Sequence, residues 1–368
     1  MLIKIFLVIF VFHKNVIAQP VIEGYVENVN VNVNTFSKPD HENVIWVSNS
    51  ISKSDSDFIR VFIDSISNDL INKKYSFRFV DSEGVILQEV SKKSLNNKSS
   101  FWTKYLYTNK LEIQLISESK LDGFSFTVSK IGFQDEPLVF DSIYKKDQRE
   151  HLLKVKKFPE LLQLSKAVAK LSYEENGQLK SCTGFMVDNK HLITNEHCIS
   201  NESVCSSTVA KFGYFKKDDV SVNEGIDFTC RRIVGVSYDL DVSILELELG
   251  NKEPELGFLE ISPNSPKKSM KIGMIHHPVG EPQQVSKNGC KILDLSVDGR
   301  TKNIDFSHRC DTLSGSSGAP IINLRNSKVV GLHHNGFSLM GKWRSKNRAL
   351  NGNHLKDFIE KTLKINHK

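Results

Sequence analysis

Cysteine is absent from the first 181 of the 368 residues, and all six cysteines fall between Cys182 and Cys310. The chain therefore reads as two differently built halves, in keeping with a length too great for one hydrophobic core. No CxxC pair occurs, which weakens a zinc or redox reading. No apolar run after residue 18 is long enough to span a bilayer, which takes about 20 residues. Charge of one sign is also missing. The net charge is only +6, and lysines are mixed with acids along the chain. That pattern describes a solvated surface rather than a nucleic-acid footprint.

What is present begins with "MLIKIFLVIFVFHKNVIA": a lysine, an apolar run from Ile5 to Phe12, then short residues up to Ala18. This is the pattern of a secretory signal cleaved after Ala18, which predicts a secreted or periplasmic protein with no membrane attachment after cleavage. In an oxidising compartment Cys182, Cys198, Cys205, Cys230, Cys290 and Cys310 read as disulfides, although six cysteines allow about fifteen pairings.

Residues 19–135 hold short segments rich in β-branched and aromatic residues: "VENVNVNVN" (26–34), "FIRVFI" (58–63), "YSFRFV" (75–80), "VILQEV" (85–90), "KLEIQLI" (110–116) and "FSFTVSKIGF" (124–133). Several alternate with period two, and "DSEG" (81–84) is a hairpin turn between two of them. The expectation is a β-sandwich. It has no histidine after His41, no clustered carboxylates and no basic stripe, so no chemistry is assigned to it. Residues 136–166 read as a connector with a helical stretch around 148–156, broken near Pro159. A second β-rich region follows from 167, and "GNHLKDFIEKTLKI" has helical spacing with Asn353 as its cap.

Three stretches of the second half carry chemistry. "CTGFMVDNKHLITNEHC" (182–198) ends an apolar strand at His197, bracketed by two cysteines. A general base needs such fixed placement, because proton transfer works only within hydrogen-bond reach. In "YDLDVSILELEL", Asp241 abuts the apolar run and is the candidate for burial, with Asp239 nearer the loop. A buried carboxylate on one imidazole nitrogen would fix the tautomer and stabilise the imidazolium. In "CDTLSGSSGAP" (310–320), Ser317 has Gly315 two before it and Gly318 after it. Glycine lets the N–H groups of residues 315 and 317 converge as an oxyanion hole, worth about 2.7–4 kcal/mol per donor. Ser314 and Ser316 lack this setting.

In the order His, Asp, Ser these stretches resemble the trypsin/chymotrypsin-like serine endopeptidases. "TNEHC", "HHPVGEP", "CDTLSGSSGAP", "GLHHNG" and "NRAL" look like the lysyl- and glutamyl-endopeptidase branch found in bacteria, whose members often carry a β-rich domain ahead of the protease. The resemblance covers about 167–368. It implies an all-β chain, a β-sandwich followed by a double antiparallel β-barrel with a C-terminal helix. It also implies catalysis by His197, Asp241 and Ser317, an oxyanion hole from Gly315 and Ser317, and no cofactor or metal. The family's histidine-loop disulfide maps onto Cys182–Cys198. Cys290 and Cys310 could close the hairpin around "VDGR", leaving Cys205 with Cys230.

The resemblance puts Asp311 at the floor of the specificity pocket, where an acid would attract Lys or Arg, although beside Cys310 it could simply tie down its loop. His333 on the pocket wall could instead serve an acidic residue. Ser316 replaces the aspartate that pairs with the new amine terminus of activated digestive enzymes, so activation cannot use that ion pair. The expected partners are protein or peptide substrates. The competing reading is a catalytically silent binding protein of the same fold. The adjacent histidines at 276–277 and 333–334 point in opposite directions on a strand and lack acids at ligand spacing, which argues against a metal.

Overall fold

The computed structural model describes residues 20–67, 73–138, 141–143, 146–155, 158–250, 256–336 and 346–364. The expected leader, 1–18, lies outside the described residues. The chain is all-β apart from a few short helices and one C-terminal helix.

Alternation drives the N-terminal sandwich. Strand Lys110–Ile116 buries Leu111, Ile113 and Leu115 and turns the residues between them outward, as a strand with one wet face must. It pairs with Val44–Val47, Ile51–Ser52 and Ser76–Asp81, and the last of these pairs with Ile86–Ser91. The hairpin turn expected at 81–84 is held by Asp81, whose Oδ1 accepts the N–H groups of Glu83 and Val85. The facing sheet contains Val21–Val33, Phe126–Leu138, Ile59–Asp64 and Phe101–Trp102. Between the sheets Ile59, Val61, Ile63, Phe77, Phe79 and Phe126 form one apolar cluster.

This sandwich is not a separate body. Val21–Val33 pairs with Phe126–Leu138 on one side and with Gln178–Met186 of the C-terminal half on the other. Ten strands thus run as one sheet from the sandwich into the first barrel. Arg60 crosses the junction fully buried, with Nε donating to the Thr103 carbonyl and Nη2 to the Ser207 carbonyl, both at 3.0 Å.

The first barrel is closed by six antiparallel strands: Val168–Glu175, Val209–Lys216, Val222–Ser237, Val242–Glu248, His191–Thr194 and Gln178–Met186, with the last pairing back to the first. The second runs Gln284–Ser286, Ile272–His276, Pro320–Asn323, Val329–Asn335, Asn347–Asn351 and Asp305–His308. Single bridges from Lys271 to Lys291 and from Ile292 to His308 close its gap. Two expectations need correction. The connector forms a 3-10 turn, Leu152–Val155, and then a helix, Pro159–Ser165. Pro159 starts that helix instead of breaking one, because its missing N–H is unneeded in the first turn. The C-terminal helix, Gly352–Leu363, is capped by Asn351, whose side chain accepts the Asn353 N–H, so the cap is not Asn353.

Candidate active site

His197 follows strand His191–Thr194, and Asp241 sits one residue before strand Val242–Glu248. These two strands pair antiparallel, Thr194 opposite Ser243, so both residues emerge at the same end of the first barrel. His197 Nδ1 lies 2.8 Å from Asp241 Oδ2, and the His197 backbone N–H donates to Asp241 Oδ1 at 3.0 Å. Nδ1 therefore carries the proton and Nε2 is left as the unprotonated nitrogen.

Asp241 is 1% exposed and has φ +53°, a left-handed conformation that aspartate tolerates better than most residues. The Asn195 side-chain amide holds its carbonyl at 2.9 Å. Burial alone would raise the Asp241 carboxyl, but His197 and His334 beside it hold it well below the usual carboxylate range.

Ser317 lies on the loop between Thr312–Leu313 and Pro320–Asn323 of the second barrel. Its seat depends on two glycines with φ +86°. A Cβ on Gly318 would sit 2.0 Å from the Thr183 carbonyl oxygen, and one on Gly315 would sit 2.9 Å from the His277 carbonyl oxygen. Without them the loop presses onto the first barrel. Thr183 N–H donates to the Ser317 carbonyl at 2.8 Å, and Thr183 Oγ1 donates to the Gly315 carbonyl at 2.9 Å. Thr183 follows Cys182, which is bonded to Cys198, the neighbour of His197. One short covalent and hydrogen-bonded path thus ties the serine loop to the histidine turn.

Ser317 Oγ and His197 Nε2 are both buried with no hydrogen-bond partner among the described residues. The N–H groups of Gly315 and Ser317 likewise meet no acceptor among the described residues. Ser316 points elsewhere. Its Oγ lies 2.8 Å from His276 Nδ1; His276 Nε2 lies 3.1 Å from Ser286 Oγ, which donates to the Asp311 carbonyl at 2.7 Å. Burial keeps His276 neutral, well below the ordinary histidine value. Ser316 is thus held in a neutral hydrogen-bonded chain.

Asp311 is buried, and its Oδ2 accepts the N–H of Gln148 from the connector at 3.0 Å. The connector also pairs Asp141–Ser142 with Thr312–Leu313, and Ser142 Oγ donates to Asn347 Oδ1. Cys310 N–H donates to His308 Nδ1, so His308 offers its Nε2 proton to His333 Nδ1 at 3.2 Å. That leaves the His333 proton on Nε2. Burial pushes His308 down to about 3 and His333 well below its ordinary value, so both rings are neutral.

The six cysteines form Cys182–Cys198, Cys205–Cys230 and Cys290–Cys310. Cys182, His197 and Cys198 cluster tightly, but the sulfurs are spent on each other and offer no thiolate to a metal. Sequence reasoning missed four residues around Asp241: Arg300, Glu196, His334 and Asp305. Arg300 Nη2 lies 3.1 Å from Asp241 Oδ1, and its Nη1 lies 2.5 Å from Glu196 Oε2. His334 bridges Asp241 and Asp305. The only signal in the sequence was the paired histidine at 333–334, read there as a question about metals.

The closed first barrel, the second barrel and the C-terminal helix define a chymotrypsin-like fold. Residues 155–349 match the family described as lysyl endopeptidase, C-terminal domain, and the chain belongs to that family. Among curated proteins it is similar to the secreted RxLR effector protein 73 of Plasmopara viticola, with 26% identity over 185 residues. That match covers 47% of this chain and 45% of the effector, so the chain spans less than half the length of the curated relative it matches. Among solved structures it is similar to the Rv3671c protease of M. tuberculosis in its active form, with 18% identity, a TM-score of 0.44, and 58% of this chain and 88% of that one covered. The HtrA-type protease AlgW with tripeptide is similar at 14% identity and a TM-score of 0.43, covering 55% of this chain and 61% of that one.

Proposed function

We propose that this chain is an exported serine endopeptidase. Ser317 Oγ attacks the scissile carbonyl carbon and passes its proton to His197 Nε2. The carbonyl oxygen, now negative, takes the N–H groups of Gly315 and Ser317. The C–N bond then breaks, the leaving amine takes the proton from His197, and water hydrolyses the acyl-enzyme by the same steps in reverse. Asp241 holds the His197 tautomer throughout. The observation that carries this reading is a 2.8 Å His197–Asp241 bond together with a buried serine hydroxyl, an imidazole Nε2 and two N–H groups that meet no partner among the described residues. Buried polar groups are nearly always paired, so four left open together are what a substrate would complete.

The leader pattern, the three disulfides and the likeness to a secreted effector support export. Among the described residues no helix is long and apolar enough to cross a membrane. Cleavage after Lys or Arg is supported by family membership and by the carboxylate of Asp311 beside the serine loop. A second reading, cleavage after Glu or Asp, is favoured by the His308–His333 chain, which ends on an N–H donor.

A fluorophosphonate probe tests the activity. Labelling of the wild type that is lost in Ser317→Ala supports it; no labelling of the folded wild type leaves the catalytically silent binding protein. Sequencing the cut sites in a peptide library separates basic from acidic specificity.

A further inference from the structure

His334 is fully buried with a carboxylate on each ring nitrogen: Nδ1 lies 3.2 Å from Asp241 Oδ2, and Nε2 lies 2.7 Å from Asp305 Oδ2. Neutral imidazole has one N–H, and ionised carboxylates only accept. Two ionised partners therefore require the imidazolium. Arg300 supplies a second cation on Asp241 and also pairs with Glu196, while stacking 4.3 Å over the Tyr238 ring.

The groups facing this cluster can be named element by element. The turn before Cys198 brings Glu196 and His197, and residues 238–241 bring Tyr238, the exposed Asp239 and Asp241. Strand Asp305–His308 brings Asp305 and the neutral His308; the His334 strand brings the neutral His333. Strand Asn347–Asn351 brings Arg348, which donates away, to the Asp298 carbonyl. With Arg348 and the exposed Asp239 set aside, the carboxylates of Glu196, Asp241 and Asp305 and the cations Arg300 and His334 leave a single negative charge, which an imidazolium at His197 would neutralise.

We propose that Asp305 and Arg300 are positioning residues: Asp305 fixes His334 as a charged donor to Asp241, and together with Arg300 this clamps the carboxylate and holds the charge seen by His197 constant across neutral pH. The positioning role rests on the protease reading; the charged ring does not. Burial would lower His334, but Asp305 and Asp241 overcome it and push it up to about 9.

The test uses the full chain with ¹⁵N-labelled histidine. Ser317→Ala prevents self-digestion, and His334→Asn identifies the resonance. His334 should show both nitrogens protonated from pH 6 to 8 and convert to neutral only near the value above. Asp305→Asn keeps the shape and a hydrogen bond to Nε2, and should lower that midpoint by more than about one unit. A ring that is neutral at pH 7, with the proton on Asp305, overturns the charge assignment, as does an unmoved midpoint in Asp305→Asn.

The catalytic consequence is read with Ser317 intact. In wild type, kcat/KM should inflect where His334 loses its proton. In Asp305→Asn that inflection should move down with the midpoint, by more than about one unit, with KM unchanged because neither residue touches substrate. Arg300→Gln should lower kcat at least fivefold at constant KM, with partial rescue by Arg300→Lys. A pH profile that Asp305→Asn leaves in place overturns the positioning role alone. A charged His334 in a chain that never takes the fluorophosphonate label removes the protease reading and the positioning role with it, and leaves the charge network standing.

Discussion

Gly318→Ala isolates what the tertiary structure does for the serine. The new Cβ would lie 2.0 Å from the Thr183 carbonyl oxygen and 2.4 Å from Thr194 Oγ1, where ordinary contact begins at 3.4 Å. The loop must therefore back away from the first barrel by about 1.4 Å, or the strand carrying Thr183 must yield. That strand is the worse candidate, since it is laddered to Val168–Glu175 and tied by Cys182–Cys198. At φ +86° alanine adds backbone strain of roughly 1–2 kcal/mol. Retreat of the loop breaks the Thr183 N–H bond to the Ser317 carbonyl and shifts the hydroxyl relative to the His197 ring. A displacement of this size costs on the order of 10²-fold in rate. The assay is the second-order rate of fluorophosphonate labelling, with thermal unfolding measured alongside. The expected result is a labelling rate down about 100-fold in a protein that still unfolds cooperatively, a few degrees lower. A rate within threefold of wild type would refute the claim that contact with Thr183 positions the nucleophile.

Five further outcomes follow. Ser317→Ala should abolish labelling and lower hydrolysis by about 10⁶-fold. Ser316→Ala should keep labelling but lose about 1–3 kcal/mol of stability, read by denaturant titration, because it leaves the buried Nδ1 of His276 without its partner. Arg60→Ala should destabilise by about 3–5 kcal/mol, seen as a lower Tm, because it empties a buried site that bonds Thr103 and Ser207 across the junction. The raised His334 stabilises the fold fully below its unfolded value near 6.5, and this contribution fades as pH rises towards 9; unfolding midpoints at pH 6 and pH 9.5 should differ less in Asp305→Asn than in wild type. A nick in the connector should leave both fragments together on gel filtration, because the Val21–Val33 ladder spans them; fragments that separate would refute that docking.

The sequence by itself determined the strands and marked the candidate site residues. Period-two alternation is a local property, so "KLEIQLI" announces a strand with one wet face wherever it packs. Gly315 and Gly318 are legible for the same reason: a positive φ is a demand that glycine meets alone at little cost. Local pattern misjudged Pro159, because a proline ends one helix and starts another with the same ring. Only the tertiary structure decided the rest. Strand pairing is non-local, so nothing in "VENVNVNVN" says that its neighbours are Phe126–Leu138 on one edge and Gln178–Met186 on the other, which makes the sandwich part of the protease sheet. The surroundings of Asp241 are likewise assembled from distant segments. Arg300, His334 and Asp305 come from the second barrel and meet a carboxylate of the first. Which groups face each other there is set by packing, and no stretch of chain carries that information until the two barrels close on each other.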